Sequence, residues 1–159
     1  RGIYPSQFGG YSWTESNTND WSKVTNFEPA FEMIRRILDT FDNFYSNGKS
    51  NLSILGFSQG AALGYAMLIL KPEIINAVAG LSGFLPTDFK NYIKDDPLLG
   101  KKVFIAHGSK DQLVPVSKAR ESIDLLKKAG ANVTYCEDDV GHKLSIHCFR
   151  GLQKYFLDL

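Results

Sequence analysis

A serine hydroxyl is a competent nucleophile only beside a base. The residues that could do chemistry in this chain are therefore Ser58, the three histidines and the acids that follow strands. Ser58 lies in Gly56-Phe57-Ser58-Gln59-Gly60, a G-x-S-x-G pattern directly after the apolar run Leu52-Ser53-Ile54-Leu55. This reads as a nucleophile elbow, in which a strand turns into a helix so sharply that the serine backbone is strained. Glycine on both sides would remove the Cβ atoms that clash in such a turn. The hydroxyl would stand at the tip of the sheet, where the helix N-terminus favours developing negative charge. The bare pattern is weak, since it arises by chance in about one chain in twenty of this length. A tight turn whose serine merely caps the helix explains it as well. The partners decide.

His142 follows the acidic turn Glu137-Asp138-Asp139-Val140-Gly141 and precedes the last helical pattern. That puts it on a loop at a strand's carboxyl end, the rim where α/β sheets carry their chemistry. His107 ends the preceding strand, and His147 falls inside the closing helix as a surface or core filler. Asp111 follows the strand that His107 ends. Alone, Asp111 is explained by an Asx turn and His142 by a cap or a satisfied core position. Together, Ser58, Asp111 and His142 stand in the α/β-hydrolase order of nucleophile, acid and base. In this reading His142 takes the Ser58 proton as the hydroxyl attacks an acyl carbonyl. Asp111 holds the imidazole tautomer, and the backbone N–H of Gln59 donates to the oxyanion.

The elements that must position these groups alternate along the chain. Ala77–Leu81, Lys102–Ala106 and Asn132–Cys136 read as strands after the one that carries Ser58. Residues 61–70 are apolar all round, the mark of a buried helix. Pro29–Tyr45 is amphipathic through Phe31, Ile34, Leu38, Phe41 and Tyr45. A further helix shows Val116, Ala119, Ile123 and Leu126 on one face, with Pro115 at its entrance and Gly130 at its exit. Leu144–Leu157 closes the chain with Cys148, Phe149, Leu152, Tyr155 and Phe156 as its expected buried stripe. Strands alternating with helices predict one α/β domain over residues 1–159, a mostly parallel sheet with helices on both faces. Residues 1–26 read as a long irregular loop, whose aromatics Phe8, Tyr11, Trp13 and Trp21 would line something apolar or form a satellite cluster. Residues 83–100 form a second such connection, opening with Phe84-Leu85-Pro86.

Composition narrows the function classes. The chain has 159 residues, 43% of them apolar, and a formal net charge of +1. These values give no argument for a nucleic-acid partner. No apolar stretch reaches membrane-spanning length. The N-terminal residues lack the apolar core of a signal peptide, so a cytoplasmic location is expected. Cys136 and Cys148 have neither C-x-x-C nor zinc-ligand spacing. They are expected to be two buried free thiols, with a disulfide as the lesser alternative.

Five motifs resemble the phospholipase/carboxylesterase family of α/β-hydrolases, which includes the acyl-protein thioesterases. They are Gly9-Gly10-Tyr11-Ser12-Trp13, Gly56-Phe57-Ser58-Gln59-Gly60-Ala61, Leu81-Ser82-Gly83-Phe84-Leu85-Pro86, His107-Gly108 with Asp111 and Val114-Pro115, and Gly141-His142. The resemblance implies hydrolysis of carboxylic esters or thioesters of short to medium acyl chains, with no metal or organic cofactor. It also implies that Phe57, Phe84, Leu85, Tyr11 and Trp13 border the acyl pocket. No charged residue in the aromatic loops selects a charged substrate, which favours apolar acyl groups. Two alternatives stand beside this: a weak or inactive hydrolase-like module binding an acyl ligand or partner, and a lysophospholipase or peptidase on the same fold. One departure matters. Relatives begin with further strands, one ending in a His-Gly loop that gives the second oxyanion N–H, and nothing before Gly9-Gly10 matches it. The strand before Ser58 is thus expected to be left as an edge. Either a missing N-terminal segment or another copy of the chain is expected to complete the sheet.

Overall fold

The computed structural model describes residues 1–6, 9–15, 22–45 and 52–159, with only the backbone described for 41–45. Phe8 and Trp21, and the side chains of Phe41 and Tyr45, lie outside the described residues. Four parallel strands form the main sheet in the order β3-β4-β5-β6: β3 (Leu52–Phe57), β4 (Ile75–Leu81), β5 (Lys102–Gly108) and β6 (Asn132–Asp138). Among the described residues, four helices accompany them: α1 (Glu28–Tyr45), α2 (Gln59–Leu70), α3 (Val116–Lys128) and α4 (Ile146–Leu157). The predicted strands and helices are all present, within a few residues at their ends. Because the strands are parallel, every carboxyl end lies on one rim, so the loops after β3, β5 and β6 meet there.

The helices divide unequally. Side chains of α1, α2 and α3 share one cluster with Ile54, Val78, Val103 and Ile105. On the opposite face α4 alone covers Ala77, Ala79, Phe104 and Ala106. Helix α2 explains the first cluster: Ala61 to Ile69 are all buried. Each large apolar side chain so removed from water stabilises the fold by about 1.5–3 kcal/mol. Close packing needs glycine in one place above all. A Cβ at Gly80 would lie 1.9 Å from the hydroxyl of buried Tyr65, so the β4 backbone itself is the surface on which Tyr65 rests.

Among the described residues, strand β3 is bare at its outer edge and on the α4 side of the sheet, where α4 does not extend as far as β3. Leu55 is 55% exposed and Phe57 46% exposed. An apolar groove of about 440 Å³ follows that edge, lined by Leu52, Ile54, Leu55, Ile34, Met67 and Trp13 among others.

Three expectations need correction. Cys136 and Cys148 are joined in a disulfide. Their spacing in sequence hid this, but the last residues of β6 and the first turn of α4 bring the Cα atoms to 5.6 Å, inside bridging range. Residues 1–26 are not wholly irregular. β1 (Tyr4–Pro5) pairs antiparallel with β2 (Tyr11–Ser12) across a turn closed by Ser6 N–H to Gly10 O, and a 3₁₀ turn spans Val24–Phe27. In α4, Phe149 and Phe156 are 47% and 36% exposed, so the buried stripe narrows to Cys148, Leu152 and Tyr155. A single helix rests on the small residues of the sheet there, and only its innermost positions are covered.

Candidate active site

The chain leaves β3 through Ser58 at φ 53° and ψ −120°, the strained turn expected of an elbow. Ser58 N–H still donates to Leu81 O at 2.8 Å, ending the ladder with β4. The two flanking glycines are not equivalent. A Cβ at Gly56 would stand 2.3 Å from Gly60 O and 2.4 Å from Gly60 C, backbone that cannot yield, whereas a Cβ at Gly60 would meet only Trp13 Nε1, at 3.8 Å. The second tight contact is Gly83, where a Cβ would fall 2.4 Å from Ala61 Cβ and 3.2 Å from Ser58 O. The turn after β4 thus packs directly under the elbow. The first intrahelical bonds of α2 run from Ala61 and Ala62 to Ser58 O. The N–H of Gln59 precedes them, at the positive end of the helix.

The Gln59 side chain does work that the motif does not announce. Its Oε1 accepts Trp13 N–H at 2.8 Å, and its Nε2 donates to Ser12 Oγ at 3.0 Å and Thr14 Oγ1 at 3.1 Å. Because a backbone N–H can only donate, Trp13 fixes which end of the amide faces it. Gln59 therefore fastens the Ser12-Trp13-Thr14 segment to the elbow. Trp13 and Phe57 line the groove beside β3. Tyr11 lies at the surface under the Arg1 guanidinium, 4.3 Å from ring centroid to Cζ. Phe84 and Leu85 are buried in the core cluster, and Leu85 lines a separate cavity of about 110 Å³ beside α3.

Asp111 and His142 meet as the sequence requires. His142 Nδ1 lies 2.7 Å from Asp111 Oδ2, and Asp111 Oδ1 accepts N–H bonds from Leu113 and Val114, both at 2.9 Å. The Asp111 side chain is sealed from solvent. Burial, the largest single influence, pushes its carboxyl up. The N–H of Val114, the His142 imidazole and the N–H of Leu113 together outweigh it and hold the carboxyl below its ordinary value. These contacts favour the ionised form of Asp111, which faces the His142 imidazole. The Phe57 ring packs against that imidazole at a centroid distance of 4.9 Å, which sets His142 beside the residue next to Ser58. Among the described residues the Ser58 hydroxyl makes no hydrogen bond to His142. Such bonds are often long before substrate binds.

Sequence reasoning left His107 without a role. It is 2% exposed, and its Nε2 lies 2.8 Å from Val114 O and 3.4 Å from Asp111 Oδ2. A carbonyl only accepts, so Nε2 carries the proton and ties down the acid loop. Ser82, at φ 45° and buried, ends β4 as Ser58 ends β3. The signal for both was present in the strings Leu81-Ser82-Gly83 and His107-Gly108, but spacing alone does not separate a catalytic residue from its support. His147 is exposed, as a filler would be. Among the described residues no group of histidines, cysteines and acids could hold a metal ion, and no helix is long and apolar enough to cross a membrane.

Comparison with known proteins agrees with this architecture. A probable inactive carboxylesterase from Oryza sativa subsp. japonica is 31% identical over 107 residues, 64% of this chain and 44% of the relative. Acyl-protein thioesterase 1 of Emericella nidulans is 34% identical over 84 residues, 51% of this chain and 35% of that protein. The chain thus spans less than half the length of these two curated relatives. The crystal structure of the Bacillus cereus carboxylesterase superposes with a TM-score of 0.81 at 20% identity, over 99% of this chain and 73% of that one, which shows a shared α/β-hydrolase fold. The phospholipase/carboxylesterase family model matches residues 3–157, so this chain belongs to that family.

Proposed function

We propose that the chain carries the catalytic half of a serine hydrolase that cleaves carboxylic esters or thioesters of short to medium acyl chains. The observation that carries this reading is the 2.7 Å bond from His142 Nδ1 to a buried, ionised Asp111, at the rim where Ser58 stands on a strained elbow. With Nδ1–H committed to Asp111, the lone pair of His142 Nε2 is free to take the Ser58 proton as Oγ attacks the acyl carbon. The oxyanion forms at the N-terminus of α2, where Gln59 N–H donates to it. The imidazolium, stabilised by Asp111, then protonates the departing alcohol or thiol. Water activated by the same Nε2 attacks the acyl-enzyme and releases the acid. Trp13 and Phe57, which line the groove beside β3, are the acyl-side residues of this proposal, whereas Tyr11, Phe84 and Leu85, expected from the sequence, lie outside that groove. Neither metal nor organic cofactor enters it.

One observation favours a second reading, a weak or silent module that binds an acyl ligand or a partner. Among the described residues, strand β3, which carries Ser58, is an open edge with Leu55 and Phe57 exposed, and a relative bears an inactive label. Loss of one oxyanion donor costs about 10²–10³ in rate. Completion of the sheet by a further segment or a second copy belongs to the same proposal. The cytoplasm expected from the sequence meets an opposing observation in the Cys136–Cys148 bond, because stable disulfides persist in oxidising compartments.

Labelling by a fluorophosphonate probe decides between the two readings. The hydrolase reading expects covalent labelling that Ser58→Ala abolishes, together with turnover of p-nitrophenyl butyrate. Equal labelling of Ser58→Ala would sink it, and acyl-ligand binding without labelling would favour the module.

A further inference from the structure

The loop that carries His142 is fastened differently on its two sides. Towards β6 it is laced to the acid loop: Asp138 O accepts Ser109 N–H at 2.8 Å, Val140 O accepts Lys110 N–H at 3.0 Å, and Lys110 Nζ pairs with Asp139 at 2.7 Å. Gly108 lies so close beneath it that an added Cβ would stand 2.2 Å from Val140 O. Beyond His142 the attachment changes character. Lys143 N–H bonds to Gly141 O, within the loop itself. Leu144 leans on the cluster under α4, while Ile146 is 76% exposed. Asp138 is drawn to the Ser145 hydroxyl, which caps α4 by accepting Cys148 N–H at 3.0 Å. The covalent return to the sheet is the bond from Cys148 to Cys136, which sits opposite Ala106 in the β5–β6 ladder. The disulfide closes a ring across a separation of 12 residues, and His142 lies within that ring.

We propose that the Cys136–Cys148 disulfide is a thiol-exchange site whose state decides whether the His142 imidazole is held against Asp111. The proposal rests on reading Ser58, His142 and Asp111 as the catalytic machinery. The co-reactant is a dithiol. One of its thiolates attacks the sulfur of half-buried Cys136 and expels the Cys148 thiolate. Its second thiolate attacks the mixed disulfide and releases Cys136. Two electrons and two protons pass to the protein, and the dithiol leaves as a disulfide. The far end of α4 stays docked through Leu152 and through Tyr155, whose hydroxyl donates to Lys102 O at 3.0 Å. The helix start and residues 143–145 lose their covalent return to the sheet. A displacement of about 1 Å at a catalytic group costs about 10²-fold in rate.

The test compares oxidised protein with protein reduced by dithiothreitol, bond state being read by intact mass and secondary structure by circular dichroism. Two signals are followed. One is the rate of fluorophosphonate attachment. The other is the proton NMR resonance of the His142 Nδ1–H bonded to Asp111, which needs no turnover. Reduction is expected to slow labelling by about 10²-fold and to broaden the imidazole resonance, both recovering on re-oxidation. The double variant Cys136→Ser/Cys148→Ser should match the reduced protein and ignore dithiothreitol. Unchanged rate and resonance would overturn the proposal. So would unfolding on reduction, since the bond would then be a staple for the whole fold. If the oxidised protein is never labelled but the resonance still follows the redox state, the hydrolase reading fails and the exchange site stands.

Discussion

Asp111→Asn tests the tautomer argument with almost no change of shape. In the native chain both oxygens of Asp111 are committed. Oδ1 accepts Leu113 N–H and Val114 N–H at 2.9 Å, while Oδ2 faces His142 Nδ1 at 2.7 Å and His107 Nε2 at 3.4 Å. In the variant the two backbone donors claim the amide oxygen, so the NH₂ group must occupy the Oδ2 position. There it confronts two ring nitrogens that each carry a proton. His107 cannot give up its proton, because Nε2 serves Val114 O. His142 can comply only by moving its proton to Nε2, and an Nε2–H cannot accept the proton of Ser58. The expected loss in kcat is about 10⁴-fold, the cost when this tautomer is reversed in a Ser-His-Asp triad. KM should change far less, since the lost interaction belongs to the transition state. The same variant reports through stability. The carboxyl of Asp111 is held below its ordinary value of 3.8 in the fold. Its ionised form therefore supports the fold above that pH, and this support is lost as pH falls through the lower folded value. The native Tm should drop more steeply on acidification than that of Asp111→Asn. The assay is p-nitrophenyl butyrate hydrolysis beside thermal melts across pH. A folded variant within about tenfold of native kcat would refute the assignment of Asp111.

The remaining expectations concern the elbow, its strap and its edge. Gly56→Ala must push a Cβ into the Gly60 carbonyl, at a cost of about 1–3 kcal/mol or more in chemical denaturation. Gly60→Ala meets only an ordinary contact with Trp13 Nε1 and should stay within about 0.5 kcal/mol of native; equal costs would refute the asymmetry. Gln59→Leu strands Trp13 N–H and removes the amide donor to Ser12 and Thr14, whose hydroxyl keeps only Ser22 among the described residues. It should cost about 1–3 kcal/mol and speed hydrogen exchange at residues 11–15, whereas unchanged exchange would deny the strap. Leu55→Lys places a charge on the exposed edge strand and should lower self-association in light scattering. No change would mean that β3 is not the sticky surface.

The parts of the molecule written in local pattern were legible from sequence. Periodicity placed α1 to α4 and the strands of the sheet, because amphipathic and buried runs follow directly from the repeat of each backbone. The order Ser58, Asp111, His142 gave the rim, because parallel strands must end together. What escaped depended on distances across the fold. The Cys136–Cys148 bond exists because β6 and α4 converge, which no spacing rule encodes. Phe149 and Phe156 obey helical period yet lie open, because among the described residues α4 is the one helix on its side of the sheet and no neighbour covers its flanks. The Gly60 clash expected from the motif is absent, and Gly56 shares the constraint with Gly83, in the turn after β4. The antiparallel pair β1–β2 was hidden in a segment whose glycines and polar residues mask two-residue strands.

The position of the open edge says which catalytic group it threatens. His142 and Asp111 hang from β6 and β5, two strands whose following loops are laced to each other by main-chain bonds and by the Lys110–Asp139 pair. Neither depends on anything beyond β3. Ser58 hangs from β3 itself, held from below by Leu81 O and by the packing of Gly83 against Ala61, and from the N-terminal side by the Gln59 strap. Its link to the imidazole is the tilted contact of Phe57, a residue that is itself 46% exposed. In the proposed mechanism the base is thus preorganised while the nucleophile stands at the margin. A segment covering β3 would act on the reach from Ser58 to His142 Nε2 and on the proposed oxyanion donor, leaving the His142–Asp111 pair as it is. In the proposed mechanism, a segment that pairs with β3 would accordingly raise kcat and labelling rate while leaving the Nδ1–H resonance of His142 unchanged.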